Sequence, residues 1–308
     1  MRPAKNTPRL AGLRIYPVRG LEGMDVEQWT LDAYGLRYDR RWMIVDAAGN
    51  AVGRREHPGL GEVEATIEGE SLVLNAPHLP SVEVRLDPAP GATEPATIRG
   101  ETIAVRDVSA DANRWLSEWL RAAVRLVFLP EEWSRPVDPS LGTRKAQLAF
   151  HDELPLRILC AASIADLGSR LGVELPAELF RPNVVIEGTR AYDEDAWRRI
   201  RIGSEDIDVV KPAPMGPLAA AGADPAKAAA VAAARMLEGS PRLGMLALAA
   251  TTTGELHVGD TVEVALRDAV DEHGDPLPRE AATVTVDRMA GLRVDRLRIV
   301  TREVDDDE

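Results

Sequence analysis

The residues best suited to hold a ligand are arginines placed at strand ends and corners. Phe180-Arg181-Pro182-Asn183 runs straight into the strand-like Val184-Val185-Ile186. An apolar strand flanked by proline and polar corners holds side chains rigidly where a site can form. Arginine presents a planar fork that matches phosphate or carboxylate oxygens in pairs, and it keeps its charge when partly buried. Asn183 reads either as a site residue or as a corner residue bonding its own turn. Asp39-Arg40-Arg41 and Arg54-Arg55-Glu56 also read two ways from the residues alone, as surface ion pairs or as anion ligands.

The other reactive residue types say less. Lys211 reads as a solvated strand end, with phosphate attraction as the alternative. Glu194, Asp195 and Trp197 read as structural: carboxylates satisfying backbone groups or an arginine, and an indole packed at the domain interface. Ser163 reads as a helix N-cap. The five histidines show no metal-ligand spacing. Cys160 is the only cysteine, which excludes an internal disulfide framework and a cysteine-rich metal site. It reads as a buried core thiol, the alternative being a thiol facing a pocket.

The elements that must position these residues are mostly strands. Short β segments are expected at 10–18, 26–31, 42–46, 63–67, 72–74, 82–86, 96–98, 103–105 and 124–129, separated by turn signals such as Glu68-Gly69-Glu70. Many short strands at such spacing favour a small barrel or sandwich. Ser109 or Asp111 can cap a helix carrying Trp115, Leu116, Trp119 and Leu120 on one stripe. Pro130 to Arg144 reads as a loop between domains. Beyond it come a buried strand at Leu156–Cys160, a short helix opening at Ser163, and a hairpin from Ile200 to Val210. A helix capped by Asp224-Pro225 follows through Leu237 to Gly239. Leu256 to Val264, broken at Gly259-Asp260, closes a last β unit. The predicted organisation is therefore a small β-barrel or sandwich domain over 1–130, a second mainly β domain over 131–268, and a partly disordered extension over 269–308.

Bulk properties bound the function. The chain has 308 residues, 45% hydrophobic and 28% charged, with a net charge of -13. So acidic a chain has no global attraction to nucleic acid or to an anionic membrane surface. It can still hold a local basic pocket for a small anion. The first residues carry no apolar signal core, and no apolar run approaches the ~20 residues of a membrane span. The expected setting is cytoplasmic.

Several short patterns in order resemble the MOSC-domain family, in its two-domain type with an N-terminal MOSC β-barrel domain, to which the amidoxime-reducing proteins belong. They are Tyr16-Pro17-Val18-Arg19, Gly35-Leu36, Asp39-Arg40-Arg41-Trp42, Asp46 and Arg55 with Pro58. Later come Asp152, Ser163, Phe180-Arg181-Pro182-Asn183, Glu194-Asp195 with Trp197, Gly203 and Val258-Gly259-Asp260. The resemblance implies a mainly β fold and a molybdenum cofactor, a molybdopterin, gripped between the two domains. Arg19, Arg40, Arg55, Arg181 and Asn183 would contact it, with Ser163 near them. It further implies a reductase of N-oxygenated small molecules that takes electrons from a separate partner. The chain departs from the family where a cysteine should hold the metal, because Ala213 stands there. The alternative is a metal-free scaffold that binds another small anion, as an enzyme or a binding module.

Overall fold

The computed structural model describes residues 7–133, 135–141, 146–216, 224–237 and 239–266. Among them the chain is mainly β with a few helices, as expected: four sheets and three α-helices. The largest sheet has nine strands. Its order is Val262–Leu266, Trp197–Ile202, Glu205–Pro214, Ser240–Ala249, Leu156–Cys160, Val184–Glu187, Arg9–Ile15 and Met24–Asp25, with Met236–Leu237 paired off this path. Its flanks approach one another. Leu10 N donates to Asp260 O at 2.9 Å, and Val262 N donates to Pro8 O at 2.8 Å. The curl is barrel-like, and it encloses Leu13, Ile15, Ile158, Ile186, Ile200 and Met245 in the main core.

The early and late parts of the chain share sheets. Arg9–Ile15 lies antiparallel to Val184–Glu187, with Leu13 opposite Val184. Gln28–Asp32 lies antiparallel to Gly254–His257. The segments expected as separate domains thus contribute strands to common sheets, and Val184–Glu187 is held directly against the chain's first strand. The extension expected over 269–308 lies outside the described residues.

The strand Leu156–Cys160 pairs in parallel with Val184–Glu187, Ile158 opposite Val184. A parallel pair needs a crossover, and the helix Ala161–Leu171 supplies it. This helix begins earlier than the sequence suggests. Its N-cap is Cys160, without a side-chain cap bond, so Ser163 is not the cap. Glu194 takes over that work: its carboxylate accepts from Cys160 N at 3.4 Å and from Ser163 Oγ at 2.8 Å. The hydroxyl also accepts from Tyr192 N at 2.8 Å. The helix Ala110–Leu120 is capped as expected, Ser109 accepting from Ala112 N at 3.1 Å. It buries Trp115 and Leu116 on the core around Trp42 and Phe128.

The alanine-rich helix Pro225–Ala234 starts at its Asp224 cap but stops short of Leu237. The chain turns there into Met236–Leu237 and then Ser240–Ala249, a ten-residue strand that the sequence pattern did not suggest. Its central run Gly-Met-Leu-Ala-Leu-Ala has little intrinsic β preference. Pairing with Glu205–Pro214 on one side and Leu156–Cys160 on the other imposes the strand. Gly244 is needed for that approach: its φ is +72°, and a Cβ there would lie 2.5 Å from Ile158 O. No helix among the described residues is long and apolar enough to cross a membrane.

Candidate functional site

Asn183 is the hinge-pin of the site. It sits just before its strand, between Arg14 on one neighbour and Arg157 on the other, and is 1% exposed. Its backbone N donates to Arg157 O at 2.9 Å, and its O accepts from Arg14 N at 2.9 Å. Its amide Nδ2 donates to Arg14 O at 3.2 Å. Its Oδ1 accepts from Arg157 N at 3.1 Å and from Arg40 Nη1 at 3.2 Å. One side chain thereby locks three strands and a guanidinium from the early part of the chain.

Around it opens a recess of about 340 Å³. Arg19, Arg40, Arg54, Arg157, Arg181 and Asn183 contribute its polar side, together with His151 and the carboxylates Asp152 and Glu153. Leu154, Leu246 and Pro214 contribute an apolar side. Arg40 and Arg181 both pack against one ring, their guanidinium carbons 4.8 and 4.1 Å from the centroid of buried Tyr16. Arg40 Nη2 also reaches Arg181 O at 3.5 Å. Both have left-handed backbones, φ 52° in each case, a conformation uncommon for a side chain of this size. Arg40 is held there by its N–H donating to Tyr16 O at 2.7 Å and its O accepting from Phe150 N at 2.9 Å. Arg181 is held by its N–H on Glu178 O at 3.0 Å.

The charges around the recess are unequally matched. Arg19 pairs with Asp152 at 2.9 Å, Arg54 with Glu22 at 2.8 Å, and Arg40 with Asp39. Lys211 pairs with Glu153 at 2.6 Å, so it is a half-buried ion-pair partner rather than a solvated strand end. Arg157 and Arg181 have no carboxylate partner among the described residues. Arg157 Nη2 donates to Pro214 O at 2.6 Å and Leu243 O at 3.0 Å. Arg181 Nη1 donates to Leu21 O at 2.7 Å. Burial lowers both pKa values, and Arg40 lowers them further by like-charge repulsion, to about 10 for Arg157 and about 9 for Arg181. Both remain cations at neutral pH. The recess therefore carries a surplus of positive charge inside an acidic protein.

Beneath Arg40 lies a buried dyad. Asp39 is wholly buried; its Oδ1 accepts from Tyr16 N at 2.7 Å, and its Oδ2 lies 3.0 Å from His151 Nε2. Burial pushes the Asp39 carboxyl up, but Arg40, His151 and the Tyr16 amide together hold it below the ordinary carboxylate value. Burial also dominates at His151 and pushes it below 6.5, against the pull of Asp39. Because Asp39 can only accept, His151 carries its proton on Nε2. His151 Nδ1 is then an acceptor with no partner.

A pH dependence follows. Below pH 6.5 the unfolded chain protonates this histidine while the folded chain resists, so stability is full above 6.5 and declines as the pH falls. Between that value and the lower folded-state value of His151 the loss approaches about 1.4 kcal/mol per pH unit, and it levels off below. Urea melts at pH 7.5 and 5.5 should show the decline in the wild type and a shallower one in His151→Gln. Equal slopes in the two proteins would contradict this assignment.

Of the residues singled out from sequence, Arg19, Arg40, Arg181 and Asn183 come together in the recess. Two do not. Arg55 is exposed and lies outside the recess lining; its neighbour Arg54 turns inward, Nε donating to Gly20 O at 2.6 Å. Ser163 is buried under Glu194, away from the recess lining. Arg41 is no surface residue: it is 3% exposed, donates to Leu129 O at 2.8 Å and stacks on Tyr34 at 4.2 Å. Sequence reasoning missed Arg157, although a lone arginine inside Leu156-Arg157-Ile158-Leu159-Cys160 is an anomaly in a buried strand. Cys160 is a core thiol, as expected, packed in the main core and pushed strongly up by burial. Ala213 is wholly buried in a small apolar cluster with Leu154 and Leu246, which also line the recess.

Comparison with known proteins agrees with this architecture. The MOSC N-terminal beta barrel domain matches residues 7–123, and the MOSC domain matches residues 145–263. The mitochondrial amidoxime-reducing component 1 of Mus musculus is 35% identical over 210 residues, covering 64% of this chain and 61% of that protein. The mitochondrial amidoxime reducing component 2 of Homo sapiens is 32% identical over 215 residues, covering 67% and 64%. The chain thus spans somewhat over three fifths of the length of these relatives. The YUAD protein from Bacillus subtilis aligns at a TM-score of 0.41 with 12% identity, covering 85% of this chain and 97% of its own. The two domain matches, in this order and over these residues, place the chain in the MOSC-domain family, as a member with an N-terminal MOSC β-barrel domain.

Proposed function

We propose that the recess binds a phosphate-bearing small organic anion, seated on Arg181 and Arg40 and oriented by Asn183. The observation that carries this reading is Arg181: a largely buried cation with no ion pair of its own among the described residues, packed, like Arg40, against the Tyr16 ring. A buried charge without a counter-charge is costly, and a bound dianion supplies the missing partner. Charge-assisted bonds from guanidinium N–H groups not already taken by protein acceptors suit phosphate oxygens. The volume of about 340 Å³ suits a small metabolite.

The family resemblance implies a molybdenum cofactor. The residues present fit its phosphate-bearing organic part. They do not fit its metal through a protein sulfur, because Ala213 offers a methyl group where the family places a cysteine, and a methyl is no donor to a transition metal. Cys160 belongs to the core. We therefore read the chain as a metal-free MOSC scaffold working in the cytoplasm. A second reading, a molybdenum-dependent reductase of N-oxygenated compounds served by a separate electron donor, is favoured by the relatives whose names state amidoxime reduction.

Two measurements on the wild-type chain separate the readings. Glycerol 3-phosphate is expected to raise the melting temperature in a saturable manner, as any ligand selective for the native state must. Protein purified from molybdenum-replete cells is expected to hold metal far below one atom per chain, with no pterin released on denaturation. Stoichiometric molybdenum would overturn the metal-free reading in favour of the reductase. The absence of any thermal shift would overturn anion binding.

A further inference from the structure

We infer that the recess has two anionic seats and that its ligand carries two anionic groups, the second one bound by Arg157. This rests on the anion-binding reading above and extends it from a phosphate to a phosphorylated organic acid.

Arg157 is the one charged residue in an otherwise apolar strand. Leu156, Ile158 and Cys160 face the main core, and the alternation of side chains sends Arg157 to the recess. Its place is rigid. Its backbone N and O are both bonded to Asn183, at 3.1 and 2.9 Å. Its Nη2 is tethered to Pro214 O and Leu243 O, on the strands that flank the apolar side of the recess. The Nε is buried and has no hydrogen-bond partner among the described residues. The cations Arg19, Arg40, Arg54 and Lys211 each have an acid; Arg157 has none among the described residues.

The two unmatched cations are anchored on different walls. Arg181 is tied to Leu21 O, on the loop after the first strand. Arg157 is tied to Pro214 and Leu243, on the other side of the large sheet's parallel pair. Arg40 lies within electrostatic reach of both. A single phosphate held by Arg181 and Arg40 leaves Arg157 uncompensated. A second anionic group on the same molecule neutralises it. Pro214, Leu154 and Leu246 line the recess on this side, so the body of the ligand rests on apolar surface near Arg157. Here a carboxylate can pair with the Arg157 guanidinium, a charge-assisted contact that a neutral group does not make.

The test uses a matched pair of probes. Glycerol 3-phosphate and 3-phosphoglycerate share a three-carbon skeleton and a phosphate, and differ in a hydroxymethyl group against a carboxylate. Calorimetric titration of the full chain should show 3-phosphoglycerate binding at least tenfold more tightly. Arg157→Met should remove that preference by weakening 3-phosphoglycerate tenfold or more, while glycerol 3-phosphate stays within threefold. Arg157→Lys, which keeps the charge, should retain part of the preference and guards against reading a folding defect as a binding defect. Equal wild-type affinity for the two probes would overturn the second seat and leave phosphate binding standing. An equal loss for both probes in Arg157→Met, with the fold intact, would do the same. If the wild type bound neither probe, the anion-binding reading itself would fall, and this inference with it.

Discussion

Asp39→Ala is expected to destabilise the protein by about 3–5 kcal/mol, the usual penalty for removing one partner of a buried ion pair. The carboxylate is wholly buried and serves three donors at once. It accepts from Tyr16 N at 2.7 Å, meets His151 Nε2 at 3.0 Å, and pairs with Arg40. Truncation strands a backbone amide, an imidazole N–H and a guanidinium in a space that water reaches poorly. Each unsatisfied buried group costs about 1–3 kcal/mol, more when charged. Asp39→Asn keeps an acceptor for Tyr16 N but loses the charge opposite Arg40, so a smaller loss is expected. Urea unfolding at pH 7.5 measures both. A loss below about 1 kcal/mol for Asp39→Ala would mean that the dyad does not hold Arg40 in place.

Arg181→Met is expected to act in the opposite sense on the two properties that can be measured. It removes a buried cation that has no ion pair of its own among the described residues, so the ligand-free fold should be as stable as the wild type or slightly more so. It also removes half of the anion seat. Losing one partner of a desolvated charged contact costs about 2–5 kcal/mol of binding, so affinity for glycerol 3-phosphate should fall at least about 30-fold. A residue kept only for packing would show the reverse: stability lost and affinity kept. The left-handed backbone at Arg181 is the cap that ends the 3-10 turn Ala177–Phe180.

Much of this was legible in the sequence, and the failures have physical causes. The strands at Trp42–Asp46 and Leu156–Cys160 follow from compact apolar runs bounded by turns, and they form with those limits. The caps Ser109 and Asp224 were legible because a side chain that satisfies an orphan helix N–H acts locally. Ser163 misled for the same reason. Its hydroxyl is claimed by Glu194, 31 residues away, a partner that no local pattern announces. Ser240–Ala249 was invisible because its neighbours, not its own composition, make it a strand.

The candidate site divides in the same way. Arg40, Arg181 and Asn183 stand at strand ends, where direction is fixed by the sheet. The choice between Arg54 and Arg55 depends on an irregular turn with no period, so the sequence could not tell which guanidinium turns inward. Arg157 carried a signal of its own, a charge in an apolar strand. Only the pairing with Val184–Glu187, which brings Asn183 alongside, gives it a recess to face.

The central claim is that arginines from distant parts of the chain close on one anion. It is tested most directly by calorimetric titration of glycerol 3-phosphate into the wild type, Arg40→Met, Arg181→Met and the double variant. The expected result is a loss of at least about 30-fold in each single variant, with the double variant losing less than the product of the two, because both grip the same phosphate. Unchanged affinity in either single variant, with the protein folded, would contradict a shared seat.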